Sequence, residues 1–360
     1  MASFISAPIK FASNCAGRLK SSAESYLLRV SGKLPPVRWV TWEITEACNS
    51  KCRLCSIWKH GKRQDTLTLE EIKKVFSDPL FKNLEILLIT GGEAALRDDL
   101  LDILLFISQK LPKARPTIST NALLPDRVLG VVDAILEKGL CIDVGVSLDG
   151  VGEHHDQIRG VPGNFQKVDY LLDKLIELKK KHGDRLSFVA GQTLHPITVD
   201  YIDETKKYAR EKGVAHFMQL YDEAPYYHNM GDATIAERDM EKLAAKVRAD
   251  QPSFHNETLL TILKNKIINF DCFTMRTFFI LRSNGDIMPC LRLCDTKIGN
   301  VRDSSPSEIW NSKPAWDARR KVMDCKGCAN TWATDWSCQS NSLPFARQLF
   351  SYFAKKHLKK

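Results

Sequence analysis

Cys48, Cys52 and Cys55 stand in the run Cys48-Asn49-Ser50-Lys51-Cys52-Arg53-Leu54-Cys55, a C-x3-C-x2-C spacing. Three thiolates in so short a segment can converge on one iron–sulfur cluster. A cubic 4Fe–4S cluster has four iron corners, so three protein ligands leave one iron open to an exogenous ligand. An open position marks catalytic rather than structural sites, a rule stated for zinc and extended here by analogy. A zinc knuckle with His60 as fourth ligand, or a set of free core thiols, are the alternatives.

The elements that must position these thiols follow from the apolar pattern. Trp39-Val40-Thr41-Trp42-Glu43-Ile44 is a β-branched and aromatic run, so the cysteines lie in the loop after a first strand. Further strands are predicted near 84–90, 115–119, 141–148, 186–193 and 215–220. Helices are predicted near 68–77, 98–110, 125–138, 165–181 and 199–212, with Thr68-Leu69-Glu70-Glu71 and Thr198-Val199-Asp200-Tyr201 as helix starts. Strands alternating with helices imply βα units around a parallel sheet, an α/β fold. In α/β barrels the active site lies at the C-terminal ends of the strands. Cys141 lies at the start of its strand and reads as a packed thiol.

Four further segments fall at or just after strand ends: Gly91-Gly92-Glu93-Ala94, Ser119-Thr120-Asn121-Ala122, Ser147-Leu148-Asp149-Gly150 and His155-Asp156-Gln157-Ile158-Arg159-Gly160, the last followed by Gly163 and Phe165. Glycine lets a backbone approach a ligand closely, and the Glu93 carboxylate can accept from an ammonium group. With the cysteine triad, these segments resemble the radical S-adenosylmethionine (SAM) superfamily along most of the chain. The resemblance implies a partial (β/α)6 TIM-like barrel and a 4Fe–4S cluster on Cys48, Cys52 and Cys55 whose open iron is chelated by SAM. Gly91, Gly92 and Glu93 match the family's Gly-Gly-Glu-Pro motif for the methionine amino group, with Ala94 in place of proline. Asn121 matches the family's Ser/Thr-Asn-Gly/Ala segment at the SAM site, and Ser147 and Asp149 match its Ser-Leu-Asp-Gly, whose polar groups lie near the SAM ribose and carboxylate. Arg159 matches the partner of the SAM carboxylate, which a guanidinium can pair bidentately. Leu54 stands where the family usually has an aromatic residue beside the adenine.

A second cysteine group, Cys272, Cys290, Cys325 and Cys328, occupies the last third. Phe278 to Cys290 reads as a hairpin turning at Asn284-Gly285. Cys325-Lys326-Gly327-Cys328 puts two thiolates on one metal face. This group resembles the auxiliary cluster domain called twitch, or its larger relative SPASM, which implies one auxiliary 4Fe–4S cluster on those four cysteines. Cys294 and Cys338 are additional metal candidates, and Cys338 is placed to displace one of the four or to neighbour the cluster. A structural zinc site with four cysteine ligands is the rival. The cysteines group like metal ligands and no secretion signal precedes them, so disulfides are not expected.

Tyr221-Asp222-Glu223-Ala224-Pro225-Tyr226-Tyr227-His228, after the sixth strand, is either a substrate loop or an interdomain connection. The net charge of +9 fits an acidic partner or mere solubility. Both ends are basic: Lys10, Arg18, Lys20, Arg29, Lys33 and Arg38 precede the first strand, and Lys355, Lys356, Lys359 and Lys360 follow the apolar face Phe345, Leu349, Phe353. Such a helix either packs on the barrel or lies on an anionic membrane surface. No apolar run is long enough to span a bilayer, and no nucleic-acid motif is present. The expected organisation is a basic amphipathic segment (1–38), the barrel (39–232), a helical linker (233–270), the SPASM/twitch domain (271–342) and a basic helix (343–360).

The expected function is reductive cleavage of SAM to a 5′-deoxyadenosyl radical that abstracts hydrogen from a substrate C–H bond, with the auxiliary cluster assisting oxidation. The resemblance also implies a ferredoxin- or flavodoxin-type electron donor and a cytoplasmic enzyme, with or without peripheral contact to the inner membrane surface. The basic ends and aromatic loop favour a phosphorylated, carbohydrate or lipid-linked substrate. A peptide-modifying maturase is the alternative, disfavoured because 38 residues are too few for a leader-recognition domain before the barrel. A non-catalytic iron–sulfur or zinc protein is a further one.

Overall fold

The β-branched and aromatic runs form six strands: β1 (Trp39–Thr45), β2 (Ile86–Gly91), β3 (Arg115–Thr120), β4 (Ile142–Ser147), β5 (Leu186–Leu194) and β6 (His216–Leu220). In the computed structural model, residues 34–60, 65–227, 229, 237–250, 253–265, 272–325 and 328–339 are described. The expected basic segment up to residue 33, the 343–360 helix, His228 and the Cys338 side chain lie outside them.

The six strands pair in chain order, each parallel to the next. Parallel pairing requires a crossover between successive strands. Helices supply it: α1 (Leu69–Phe76), α2 (Leu100–Lys110), α3 (Pro125–Glu137), α4 (Glu153–Arg159), α5 (Asn164–His182) and α6 (Ile202–Glu211). Thr68 caps α1 through a reciprocal capping box with Glu71. The Thr198 start differs from expectation, because a single 3-10 turn, Val199–Tyr201, precedes α6. The Thr198 hydroxyl is taken by the carbonyls of Thr193 and His195 and does not cap a helix.

The last third extends the same sheet. β7 (Phe278–Leu281) lies parallel to β1, opposite β2, with Trp39 against Phe278 and Trp42 against Leu281. β8 (Asp286–Met288) and β9 (Gly299–Asn300) follow antiparallel, and Gly285 turns the β7–β8 hairpin with φ +90°. An aromatic file joins barrel to extension: Trp42, Phe76, Phe81, Phe279 and Trp310 meet successively at centroid distances of 5.3, 5.1, 6.2 and 5.5 Å. Trp310 belongs to α9 (Pro306–Asn311), which precedes α10 (Lys313–Met323) and α11 (Thr331–Gln339).

Helices α7 (Glu237–Arg248) and α8 (Phe254–Asn265) fall where a linker was expected. They build a second core, in which Leu243, Val247, Leu259 and Ile262 pack on Leu194, Ile202, Met218 and Leu220. They therefore cover the end of β5 and β6. Among the described residues no helix is long and apolar enough to cross a membrane.

Candidate metal centres at the strand ends

The segment after β1 is shaped by its neighbours. The Gly92 N–H donates to Thr45 O at 2.7 Å and the Glu93 N–H to Ala47 O at 2.8 Å. A Cβ on Gly91 would stand 2.2 Å from Thr45 O, and one on Gly92 2.0 Å from Ala47 O. The close approach these glycines permit is thus to the chain's own cysteine loop. On the loop's other side, Lys51 N–H and Arg53 N–H donate to the carbonyls of Arg159 and Ile158 at 3.2 and 2.9 Å. Gly160, with φ +67°, lets Lys51 O come to 2.4 Å of where a Cβ would be.

Within this frame the three sulfurs meet donors. Cys48 accepts from the Ser50 N–H and Cys55 from the Ile57 N–H. Cys52 Sγ lies 3.0 Å from Ser50 Oγ and accepts from an Arg159 nitrogen at 3.3 Å. Burial first, with the neighbouring cysteines adding to it, raises the thiol pKa of Cys48 and pushes that of Cys55 up to about 12. A coordinated thiol is deprotonated outright, so a bound cation overcomes the burial that raises Cys48 and Cys55.

The other strand ends knit this loop together. Glu93 is buried, and its carboxylate accepts from Thr120 Oγ1 at 2.9 Å, Asn121 N at 2.7 Å and Ala95 N at 3.2 Å. Burial raises its pKa. Asn121 donates through Nδ2 to Asn49 Oδ1 at 2.8 Å and lies 3.8 Å from Cys48 Sγ. Asp149 accepts from the Thr193 N–H at 2.8 Å and pairs with Arg159 Nε at 3.1 Å, so Arg159 stands between Asp149 and Cys52. Behind them, the Asp149 N–H donates to His155 Nδ1, which leaves the proton on Nε2 to donate to Asn164 Oδ1 at 3.1 Å. Asn164 Nδ2 then donates to Asn121 O at 2.9 Å. Burial drives the His155 pKa down to about 3. Ser147 and Leu54 are half-buried at the end of β4 and in the cysteine loop.

The second set repeats the wiring. Cys272 accepts from the Thr274 N–H, Cys328 from the Asn330 N–H at 3.2 Å, and Cys290 from the N–H groups of Leu293 and Arg292. Burial pushes Cys272 up to about 12 and Cys290 up to about 11. Cys272 feels the charges of Cys328 and Cys290, and Cys290 those of Cys328 and Cys325, so the four are grouped. Cys294 differs: its thiol donates to Asp295 Oδ1 at 3.8 Å, and its charged neighbours are Asp295 and Arg282.

The Tyr221–Tyr227 segment runs between the two sets. Tyr221, Asp222 and Tyr226 are buried, Glu223 and Tyr227 half-buried. The Ser56 N–H donates to Tyr227 O at 3.3 Å, and the Tyr227 ring faces both Asp222 and Cys55. Asn229 holds the segment by bonding Ala224 N, Tyr221 Oη and Asp222 O. Ile57, Tyr226, Ile280 and Met288 form an apolar cluster against which Cys55, Tyr227, Leu291 and Cys294 pack.

Comparison with known proteins decides the family. Residues 42–198 match the radical SAM superfamily, and residues 272–329 match SPASM, an iron–sulfur cluster-binding domain. The chain belongs to the radical SAM superfamily and carries a SPASM domain. Among curated relatives, this radical SAM protein is 36% identical to Fe-coproporphyrin III synthase of Methanosarcina barkeri over 41% of its length, and 36% of the relative is covered. It is 31% identical to the antilisterial bacteriocin subtilosin biosynthesis protein AlbA of Bacillus subtilis, over 46% of this chain and 36% of AlbA. The matches therefore span about a third of these two relatives. The fold is shared with anSMEcpe solved with bound AdoMet and a Cp18Cys peptide, at TM-score 0.60 and 19% identity, covering 89% of this chain and 99% of that one.

The two domains imply a SAM-binding 4Fe–4S cluster and auxiliary clusters. The donor sets fit such groups. In a tetrahedral zinc site with bonds of about 2.3 Å, sulfurs stand only about 3.8 Å apart. Among the described residues no three cysteine sulfurs fall within 4.8 Å of one another, so each set spans more than one zinc ion would. The compact trio that does, Asp133, Glu137 and His182, lies on the outer helices α3 and α5, where Lys181 pairs with Glu137 and Arg185 bonds His182.

Sequence reasoning did not single out Asn49, Ser50, Asn164, Arg292 or Asn330. Polar residues one or two positions from a ligating cysteine are the signal available for Asn49, Ser50, Arg292 and Asn330. It also passed over Glu43, a buried carboxylate on β1 that accepts from Ser283 and faces Arg282 of the β7–β8 turn.

Proposed function

We propose that this protein cleaves SAM reductively at Cys48, Cys52 and Cys55 and uses the product to abstract hydrogen from a substrate C–H bond. The observation that carries this reading is the paired wiring: two separate sets of cysteines whose thiols are raised by burial and supplied with backbone N–H donors, the first just beyond β1 and the second around the β7–β8 hairpin. When bound, a 4Fe–4S cluster with one open iron supplies the electron that yields the 5′-deoxyadenosyl radical, and a second cluster on Cys272, Cys290, Cys325 and Cys328 provides an electron acceptor.

The chain's own residues then position and shield. A carboxylate offers about four acceptor sites. Glu93 uses three on chain donors, which leaves one for the SAM ammonium. Arg159, aligned by Asp149, brings a fixed positive charge to the Cys52 side, where it meets the SAM carboxylate. Ser147 and Asn121 face the same ligand from their strand ends, and Leu54 supplies an apolar wall. The Tyr221–Tyr227 segment, held by Asn229, excludes water between the two centres.

The basic ends that suggested a phosphorylated, carbohydrate or lipid-linked substrate lie outside the described residues. The relatives turn the choice toward a peptide side chain, supported by the bacteriocin biosynthesis protein and by the peptide bound to anSMEcpe. A porphyrin is the second reading, favoured by the similarity to Fe-coproporphyrin III synthase. The electron donor is of ferredoxin or flavodoxin type, in a reducing cytoplasm where thiols persist.

The test is anaerobic purification, iron and sulfide quantification, and dithionite-driven 5′-deoxyadenosine formation, beside a Cys48/Cys52/Cys55→Ala variant. The expected result is about eight irons, falling to about four with loss of cleavage in the variant. Full iron with no cleavage, with or without candidate peptides and porphyrins, would sink the reading.

A further inference from the structure

Arg292 lies in the 3-10 turn Leu291–Leu293, directly after Cys290. Its guanidinium donates to Asp222 Oδ1 at 2.6 Å, and its positive charge acts on the Cys328 thiol. Asn330 makes the matching pair of contacts. Its backbone N–H donates to Cys328 Sγ at 3.2 Å, and its Nδ2 donates to Asp222 Oδ2 at 2.9 Å. One carboxylate, buried just beyond β6 in the Tyr221–Tyr227 segment, therefore holds both the guanidinium and the amide that act on one thiol. Asp222 is also among the charges acting on Tyr227, which faces Cys55 of the other set.

We propose that Arg292, oriented by Asp222, sets the reduction potential of the auxiliary cluster, and that Asp222 couples this potential to the segment between the two centres. The inference rests on the reading that Cys272, Cys290, Cys325 and Cys328 hold an iron–sulfur cluster. Reduction adds one electron and no proton, so the reduced state carries one more negative charge. A guanidinium and an amide at a ligand sulfur stabilise that charge, and hydrogen bonds to sulfur with net local charge are known levers on cluster potential. The Asp222 carboxylate acts in the opposite sense at close range, while fixing the geometry of both donors. The two partners therefore have opposite signs. Loss of Arg292's charge lowers the potential, and loss of Asp222's charge, with Arg292 kept, raises it.

The opposed signs separate an electrostatic role from a structural one. The experiment uses the full chain carrying Cys48/Cys52/Cys55→Ala, so that only the auxiliary cluster is loaded. Its reduction by dithionite is titrated against mediators and followed by electron paramagnetic resonance and visible absorption. Arg292→Gln is expected to shift the reduction equilibrium about tenfold toward the oxidised form, about 59 mV downward for one electron. Asp222→Asn is expected to shift it upward, and the double variant to return toward the parent. Arg292→Lys keeps the charge and is expected to stay nearer the parent than Arg292→Gln; it also serves if the glutamine variant loses iron. Full iron with unchanged potentials, or shifts of the same sign in Arg292→Gln and Asp222→Asn, overturns the proposal. A parent protein without about four irons overturns the cluster reading itself, a result distinct from either.

Discussion

Gly92→Ala tests whether the glycine pair serves the cysteine loop. An alanine Cβ at this position would meet Ala47 O at 2.0 Å, Ala47 C at 2.5 Å and Glu46 O at 2.8 Å. Real Cβ atoms keep beyond 3.0 Å, and all three neighbours are backbone, so no rotamer change relieves the clash. The strand end or the loop must retreat by about 1 Å. Ala47 directly precedes Cys48, so the displacement passes to a ligand. A misplacement of about 1 Å at a reacting centre costs about 100-fold in rate, or about 2.7 kcal/mol of barrier. Gly130→Ala is the matched control, because Gly130 is exposed inside α3 and a Cβ there meets nothing within 4 Å. That change is expected to stabilise the fold by about 0.5–1 kcal/mol and leave SAM cleavage unaltered. The assay is 5′-deoxyadenosine formed per loaded cluster, with iron content and thermal midpoint measured on the same samples. Gly92→Ala with full iron and cleavage within about threefold of wild type would refute the reasoning.

Three further outcomes follow from buried polar groups. His155 has a folded-state pKa near 3, depressed mainly by burial, against an unfolded value of about 6.5. The unfolded chain therefore takes up a proton that the folded one refuses, and this stability is lost as pH falls below about 6.5, by about 2 kcal/mol at pH 5. Urea unfolding of wild type and His155→Gln at pH 7.5 and 5 should show that extra loss only in wild type, and parallel losses would count against it. Arg319 donates to Met275 O and Trp310 O at 2.7 and 2.6 Å between the rings of Trp310 and Trp316. Arg319→Met leaves two carbonyls without donors and is expected to cost about 2–4 kcal/mol in urea unfolding, a cost below about 1 kcal/mol speaking against this. Asn229→Ala removes three bonds that hold the Tyr221–Tyr227 segment, so the Ala224 amide should lose hydrogen-exchange protection; unchanged protection would show that the segment holds itself.

The parallel sheet was legible because its strands are short β-branched or apolar runs separated by long amphipathic stretches, a pattern with few alternative folds. The predicted 115–119 and 186–193 strands appear as Arg115–Thr120 and Leu186–Leu194. The helix Glu153–Arg159 was not predicted as an element, since His154, His155, Asp156 and Gln157 show no apolar period. Its local role is nonetheless concrete: the Ile158 and Arg159 carbonyls dock the cysteine loop. Pairings between distant segments were not legible either. Glu43 and Ser283 are separated by 240 positions, and only the β1–β7 register brings them together.

The same limit explains why residue types at the candidate site were easier to read than their partners. A glycine pair before a glutamate announces a close approach, but sequence does not say to what. The answer depends on the register of β1 against β2, which runs evenly from Trp39–Ile86 to Glu43–Thr90 and then slips so that Thr45 faces Gly91. That irregularity ends the regular pairing and turns the Thr45 and Ala47 carbonyls onto the amides of Gly92 and Glu93. Glu93 is then held under the end of β3, and its oxygens take the Thr120 hydroxyl and the Asn121 amide. A ligand that reached Glu93 would meet a carboxylate already oriented by three bonds, with no rotamer freedom left to lose. The glycines and the glutamate thus act first on the chain, and through it on whatever the cysteine loop holds. Asn121 shows the same order: its amide nitrogen donates to Glu93, and its side chain donates to Asn49 beside Cys48.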